Sequence, residues 1–166
     1  MSARLKDIVL GGGCFWGLQE LFRKLPGVAK TEVGYAGGQN TQPTYENHPG
    51  HAEVIRITYD TAQISLTQIL DYFFRVHDPT TLNRQGNDVG TSYRSVIFYQ
   101  DEAEKHAVEE MIRIVNESGK WKNPLVTQVA PLSNYSSAEA YHQDYLQKNP
   151  GGYTCHYEYF DTPFPS

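Results

Sequence analysis

Apolar residues recur along the chain with two different spacings, which divide it into alternating strands and helices. Short apolar runs predict strands at 7–10, 28–35, 51–60, 95–99 and 125–132. Apolar residues three or four positions apart predict helices over 15–25, 66–78 and 102–118. A fourth helix is predicted over 137–148, because Ser136 and Glu139 have the spacing of a capping box.

The order of these elements, β-α-β followed by β-α-β, is typical of α+β domains. It predicts a two-layer α/β sandwich with a split βαβ, ferredoxin-like core and C-terminal additions. A length of 166 residues with 39% hydrophobic residues suits one core, so we expect a single domain over 1–166. The stretch from about 149 onward begins with Asn149, Pro150 and two glycines, and we expect it to form a mobile C-terminal tail.

One segment, 78–94, has no apolar period and is rich in Gly, Asn, Asp and Thr. Loops of that length within a compact domain are usually functional or disordered. Segment 78–94 is therefore a candidate for functional residues, as the predicted elements are.

The charge of the chain excludes several kinds of partner. Its formal net charge is −5, and it has no run of Lys and Arg that nucleic acid or an anionic membrane would require. No segment approaches the roughly 20 apolar residues of a membrane span, and the apolar stretch near the N-terminus is too short for a signal peptide. We expect a cytoplasmic monomer without nucleic-acid or membrane partners.

The two cysteines, Cys14 and Cys155, lie near opposite ends of the chain. A structural disulfide is unusual in the cytosol, so they are either free thiols or a transient catalytic pair. Cys14 lies in the sequence GGGCFWG, at the first turn of a predicted helix, where unpaired N–H groups and the helix dipole favour the thiolate. A buried structural cysteine is the alternative. Phosphate binding fits less well, because the glycine spacing of phosphate-binding loops is absent.

The histidines do not suggest a metal site. His48 and His51 share one loop and His156 adjoins Cys155, but the chain contains no CxxC or HxxxH array. We expect neither a metal nor another cofactor.

Glu53 is the acidic residue whose position is most unusual. Side chains alternate along the predicted strand 51–60, so Glu53 shares one face with Ile55, Ile57 and Tyr59. Burial on that face would raise the pKa of the carboxyl group toward neutrality. The alternative is an exposed or ion-paired glutamate at a strand end, since most acidic residues are solvated.

Five sequence blocks together resemble one known family. The motif GCFWG resembles the active-site motif of class A peptide methionine sulfoxide reductases, and the family's other blocks resemble, in order, GYAGG, PTYENHPGHAEV, RQGNDVGTSYRS and HQDYLQKNPGGY. These blocks span nearly the whole chain. The resemblance implies an enzyme that repairs the S epimer of methionine sulfoxide in oxidised proteins and peptides. It also implies thioredoxin as the reductant, and we extend the expected substrates to free methionine sulfoxide.

The resemblance also implies a thiol mechanism. Cys14 would attack the sulfoxide sulfur and become a sulfenic acid, while Glu53 would supply the proton for the oxygen. Cys155 would then form a Cys14–Cys155 disulfide, which thioredoxin would reduce. Some family members have a further recycling cysteine that this chain lacks, which indicates a single resolving step. A packed residue on a terminal strand is the alternative for Cys155.

The same resemblance implies a substrate pocket. Tyr45 and Tyr93 match hydroxyls that hold the sulfoxide oxygen, and Asp88 matches their acidic partner. Phe15 and Trp16 match the pocket for the methyl group of the substrate. The chain has twelve tyrosines, so packing is the alternative for either tyrosine, and an ordinary core position is the alternative for Phe15.

Two other functions fit the candidate residues. A peroxide-reducing thiol enzyme would also pass through a sulfenic acid and a resolving cysteine. A binding module would hold methionine-containing segments between Phe15 and Trp16 without chemistry. Neither explains the five blocks in order, so the reductase is the preferred interpretation.

Overall fold

The computed structural model describes residues 4–154 and 156–164, so Cys155 lies outside the described residues. Eight strands are present: β1 (Leu5–Gly11), β2 (Val28–Ala36), β3 (Ala52–Asp60), β4 (Arg84–Gln85), β5 (Asp88–Val89), β6 (Val96–Tyr99), β7 (Gln128–Pro131) and β8 (Ser136–Ser137). The α-helices are α1 (Phe15–Phe22), α2 (Leu66–Val76), α3 (Glu102–Ser118) and α4 (Tyr145–Lys148). Two complete 3₁₀ turns within the described residues cover Thr91–Tyr93 and Ala140–His142.

Six strands form one sheet in the order β7-β6-β1-β3-β2-β8. Its four central strands, β6-β1-β3-β2, pair antiparallel throughout. Helix α1 connects β1 to β2, and α2 lies between β3 and β6 along the chain. This is the split βαβ core predicted from the element order, and the α+β fold class is confirmed. Strands β7, which pairs parallel with β6, and β8 extend the core at its two edges.

The helices cover one face of the sheet. Alternation along β1 directs Ile8 and Leu10 into a large core with α1, α2 and α3, whereas Val9 joins a smaller apolar cluster on the opposite face. In β3, Ile55 and Ile57 belong to the large core and Val54 to the smaller cluster. Among the described residues, no helix is long and apolar enough to cross a membrane.

The predicted helix starts are present at α2 and α3. The Ser65 hydroxyl accepts a hydrogen bond from the Gln68 backbone N–H at 3.1 Å, and the Gln68 side chain accepts one from the Ser65 N–H at 2.9 Å. At α3, the Asp101 carboxylate accepts from the Glu104 N–H at 2.8 Å. Such caps satisfy N–H groups that have no partner within the helix.

The fourth predicted helix, 137–148, is wrong. Ser136 and Ser137 instead pair with β2, and only the short α4 is α-helical in this region. Glu139 does not cap a helix here, because its carboxylate accepts from the Tyr35 hydroxyl at 2.8 Å. Asp144 has φ 55°, a left-handed conformation that interrupts a right-handed helix.

Two other elements are at least three residues shorter than predicted. Helix α1 ends at Phe22 rather than near 25, and the strand predicted over 125–132 is confined to β7. The irregular segment 78–94 contains the two-residue pair β4–β5 and the first 3₁₀ turn. These short elements have no apolar period, since each is too short to show one.

Candidate active site

Cys14 is the residue that immediately precedes α1, and its side chain is buried. The turn before it must be built from small residues. A Cβ atom on Gly12 would lie 2.8 Å from a ring carbon of His77, and one on Gly13 would lie 2.7 Å from the side chain of Gln85. Gly13 also has φ 98°, which strongly favours glycine. The glycines of GGGCFWG therefore allow the backbone before Cys14 to pack closely against His77 and Gln85.

Two buried imidazole rings pack against this turn. The Nε2–H of His156 donates to the Gly12 carbonyl at 2.6 Å, and the Nδ1–H of His77 donates to the Phe73 carbonyl at 2.6 Å. Burial lowers the pKa of His77 to about 3 and that of His156 to about 4. Both rings are therefore uncharged at neutral pH, so neither of them adds a positive charge to the turn before Cys14.

Glu53 lies at the beginning of β3 and is 1% exposed. Its Oε1 atom accepts a hydrogen bond at 3.2 Å from the backbone N–H of Phe15, the residue after Cys14. Burial raises the pKa of Glu53 to about 8, the Phe15 hydrogen bond opposes this shift, and the charge of Asp88 adds to it. A protonated carboxyl group is thus held beside the nucleophile candidate at pH 7.

The raised pKa of Glu53 makes stability depend on pH. The native protein holds this proton up to about pH 8, whereas the unfolded chain releases it near the ordinary value of 4.5. The contribution of Glu53 to the free energy of unfolding therefore falls by about 1.4 kcal/mol for each pH unit as pH rises through this window. We expect Glu53→Gln to gain stability relative to wild type between pH 5 and pH 8.5, by a few kcal/mol. Urea unfolding at both pH values checks this, and parallel pH dependences in the two proteins would contradict it.

Tyr45 and Tyr93 come from different loops but converge on the same place. Tyr45 lies between β2 and β3, Tyr93 lies in the first 3₁₀ turn, and a side-chain hydrogen bond from Tyr93 acts on Tyr45. Burial raises the pKa of both phenols, and the Glu53 and Cys14 charges raise both further. Both hydroxyls are therefore neutral hydrogen-bond donors at physiological pH.

Asp88 lies at the edge of this group. Its charge contributes to the raised pKa values of Glu53, Tyr45 and Tyr93. Its carboxylate also accepts a hydrogen bond from the Tyr153 hydroxyl at 3.3 Å. The structure thus brings together four of the polar candidates with Cys14, although they lie far apart in sequence.

Phe15 and Trp16 form an apolar wall beside the polar group. Phe15 is fully buried, with ring centroids 5.6 Å from Tyr35 and 5.1 Å from His142. The Trp16 indole N–H donates to Nδ1 of His142 at 2.9 Å, and its ring stacks on Tyr145 at 3.7 Å. Both rings are therefore held in fixed orientations by their neighbours.

A family model described as peptide methionine sulfoxide reductase matches residues 6–162. This chain belongs to that family. Reduction of methionine sulfoxide is an oxidoreductase reaction, so the chain is an enzyme of that class. The resemblance seen in the five sequence blocks is confirmed.

Individual relatives of this reductase match over nearly its full length. MsrA from Mycobacterium sp. (strain MCS) is 56% identical over 160 residues, which cover 96% of this chain and 94% of the relative. The crystal structure of Mxr1 from Saccharomyces cerevisiae in reduced form has a TM-score of 0.89 at 37% identity, covering 95% of this chain and 94% of that chain. The structure of Mxr1 in complex with Trx2 has a TM-score of 0.67 at 28% identity, covering 95% and 92% respectively.

Sequence reasoning missed four residues that hold the candidate site residues in place: Tyr35, Glu139, His142 and Tyr145. His142 and Tyr145 hold Trp16, and Glu139 accepts from both the Tyr35 hydroxyl and, at 3.0 Å, the backbone N–H of Tyr45. Three of the four lie in the segment mistaken for a helix. The block HQDYLQKNPGGY contains His142 and Tyr145, so the family resemblance was the one signal that could have found them.

Proposed function

We propose that this reductase acts on the S epimer of methionine sulfoxide in oxidised proteins and peptides, with Cys14 as nucleophile, Glu53 as acid and Cys155 as resolving thiol. Free methionine sulfoxide belongs to the same proposal as a second substrate. Thioredoxin is the proposed reductant that returns the enzyme to its dithiol form.

In the first step, the Cys14 thiolate attacks the sulfoxide sulfur and Glu53 transfers its proton to the sulfoxide oxygen. The oxygen then passes to Cys14, which becomes a sulfenic acid, and the substrate leaves as methionine. Two electrons move from the Cys14 sulfur to the substrate sulfur. The observation that carries this proposal is the buried Glu53 carboxyl group, which accepts a hydrogen bond from the backbone directly after Cys14 and whose pKa burial raises to about 8.

Substrate binding is proposed for the residues around this pair. The Tyr45 and Tyr93 hydroxyls would donate to the sulfoxide oxygen, where negative charge accumulates as the thiolate attacks. The Phe15 and Trp16 rings would pack against the methyl group, and Asp88 would fix the polar side of the substrate. Neutral donors suit this task, because a phenolate would repel the oxygen.

Two further steps would regenerate the enzyme: formation of a disulfide and its reduction. The Cys155 thiol would attack the Cys14 sulfenic acid, so that an S–S bond forms and the sulfenic oxygen leaves as water. Exchange with a reduced dithiol then restores both cysteines. The solved complex of the yeast relative Mxr1 with Trx2 supports thioredoxin as this dithiol.

A stoichiometric experiment tests the assigned roles. Reduced protein is mixed with excess methyl sulfoxide of defined epimer, without external thiol, and both methionine and free thiols are quantified. We expect one equivalent of methionine from the S epimer with loss of both thiols in wild type. We expect one equivalent and no intramolecular disulfide in Cys155→Ser.

Other outcomes select the rival functions. Faster loss of thiols with hydrogen peroxide than with methyl sulfoxide would favour a peroxide-reducing enzyme. Binding of the sulfoxide with both thiols retained and no methionine formed would favour a binding module. Equal turnover of both epimers would contradict the epimer assignment alone.

A further inference from the structure

The two tyrosines of the site are held by loops rather than by regular elements. Tyr45 lies in the connection between β2 and β3, and Tyr93 lies at the end of the first 3₁₀ turn. Two hydroxyls that share one small oxygen atom must be placed within a fraction of an ångström. Besides the side-chain hydrogen bond from Tyr93 to Tyr45, a contact between the loops that carry them is needed to fix this separation.

His48 makes that contact. Its Nδ1 lies 2.8 Å from the Thr44 carbonyl oxygen and donates its N–H there, while its Nε2 lies 2.8 Å from the Ser92 hydroxyl. Thr44 directly precedes Tyr45, and Ser92 directly precedes Tyr93. One imidazole ring is thus hydrogen-bonded to the residue before each tyrosine.

The ring itself is held in place by the interior of the domain. It stacks on Tyr35 with a centroid distance of 5.0 Å and an interplanar angle of 19°. Tyr35 is fully buried and donates its hydroxyl to Glu139, whose other carboxylate oxygen accepts the Tyr45 N–H. The hydrogen-bonded pair Tyr35–Glu139 therefore contacts both the His48 ring and the Tyr45 backbone.

A second link joins the two loops farther from the hydroxyls. The Arg94 guanidinium donates to the Gly50 carbonyl at 3.2 Å and to the Thr91 carbonyl at 2.8 Å. Gly50 is five residues from Tyr45, so this link acts on the backbone at a distance from the Tyr45 hydroxyl. Arg94 thus keeps the loops together in the absence of His48, which makes a His48 variant suitable for testing.

We propose that His48 is a positioning residue that sets the separation of the Tyr45 and Tyr93 hydroxyls for oxygen transfer. This inference rests on the proposed function, because it assigns a purpose to the spacing of the two donors. His48 touches neither the substrate nor Cys14 in this role. Its effect reaches the reaction through the two loops that it joins.

The test measures single-turnover methionine formation in the Cys155→Ser background. We expect His48→Ala to lower the rate of oxygen transfer at saturating substrate by about ten- to a hundredfold, the scale of a displacement of about 1 Å. The alkylation rate of Cys14 by iodoacetamide should stay unchanged, since that thiol lies outside the bridge. The matched control is His106→Ala, an exposed histidine on α3, which should leave both rates as they are.

Coupling between positions separates positioning from general support of the fold. If His48 acts through the two hydroxyls, Tyr93→Phe will cost much less in the His48→Ala protein than in wild type. Ser92→Ala removes one end of the bridge without changing the histidine, and its effect should not add to that of His48→Ala. In His48→Asn and His48→Gln, the side-chain amide can replace only one of the two hydrogen-bonded ring nitrogens. Neither variant should therefore restore the full rate.

Three results would overturn the inference. These are full activity of His48→Ala, full activity of either amide variant, or additive effects of His48→Ala and Tyr93→Phe. If His48→Ala fails to fold, Ser92→Ala provides the same test. Failure of the proposed function looks different, because the double variant Tyr45→Phe/Tyr93→Phe would then transfer oxygen at the wild-type rate.

Discussion

Replacing Cys14 with serine will abolish methionine formation from methionine sulfoxide, even with excess dithiothreitol. The glycine turn and the start of α1 favour a thiolate at this position, but a serine hydroxyl does not ionise at neutral pH. An alcohol oxygen also cannot take up the sulfoxide oxygen, whereas a thiolate sulfur takes it up and becomes a sulfenic acid. The measurement is chromatographic detection of methionine after incubation with the pure S epimer.

The control for this variant is Cys155→Ser, which keeps the nucleophile and removes only the proposed resolving thiol. It should still form one equivalent of methionine in the first turnover without external thiol. Methionine formation by Cys14→Ser at the wild-type rate would place the nucleophile elsewhere in the chain.

Replacing Glu53 with glutamine will slow sulfenic acid formation by about 10²- to 10⁴-fold, the range typical of a lost general acid. Glutamine keeps the oxygen that accepts the Phe15 N–H and removes the transferable proton. In wild type, the rate should fall as pH rises through about 8, because Glu53 loses its proton there. This alkaline decline should be absent from Glu53→Gln.

Glu109→Gln is the control, because Glu109 is exposed on α3. It should match wild type in both rate and pH profile. Stopped-flow measurement of the oxygen-transfer step between pH 6 and pH 10 distinguishes the variants. An unchanged rate in Glu53→Gln, or an alkaline decline that persists there, would assign the proton to another donor.

Much of the central fold could be predicted, because its signals are local. The alternation along β3 placed Glu53 among Ile55, Ile57 and Tyr59, and all four side chains are buried. The capping residues of α2 and α3 act within four positions of themselves. Such short-range patterns can be read from a single sequence.

The remainder depends on contacts between distant parts of the chain. Glu139 resembles a helix cap, yet its carboxylate is used by Tyr35 and Tyr45, about a hundred positions away. Gln143 similarly bonds to both backbone groups of Val33 instead of continuing a helix. Tertiary hydrogen bonds of this kind override local helix preference, and no local period reveals them.

The support behind Cys14 was equally hidden from the sequence. The His156 ring reaches the Gly12 carbonyl across 144 positions, and His77 fills the space that a side chain on Gly12 would need. The glycines indicated close packing, but they did not identify the partners. The rings of His48, His51 and His156, which the sequence offered as the nearest candidates for metal ligands, are hydrogen-bonded to backbone and side-chain groups of the protein.

The two edge strands of the sheet determine how readily another polypeptide could add a strand to it. One side of the sheet finishes at the four residues of β7, the last of which is Pro131, and the other finishes at the two residues of β8. Short outer strands and proline give another polypeptide little main chain on which to add a strand. The sheet is therefore poorly suited to nucleate aggregation of partly unfolded polypeptides that the enzyme meets.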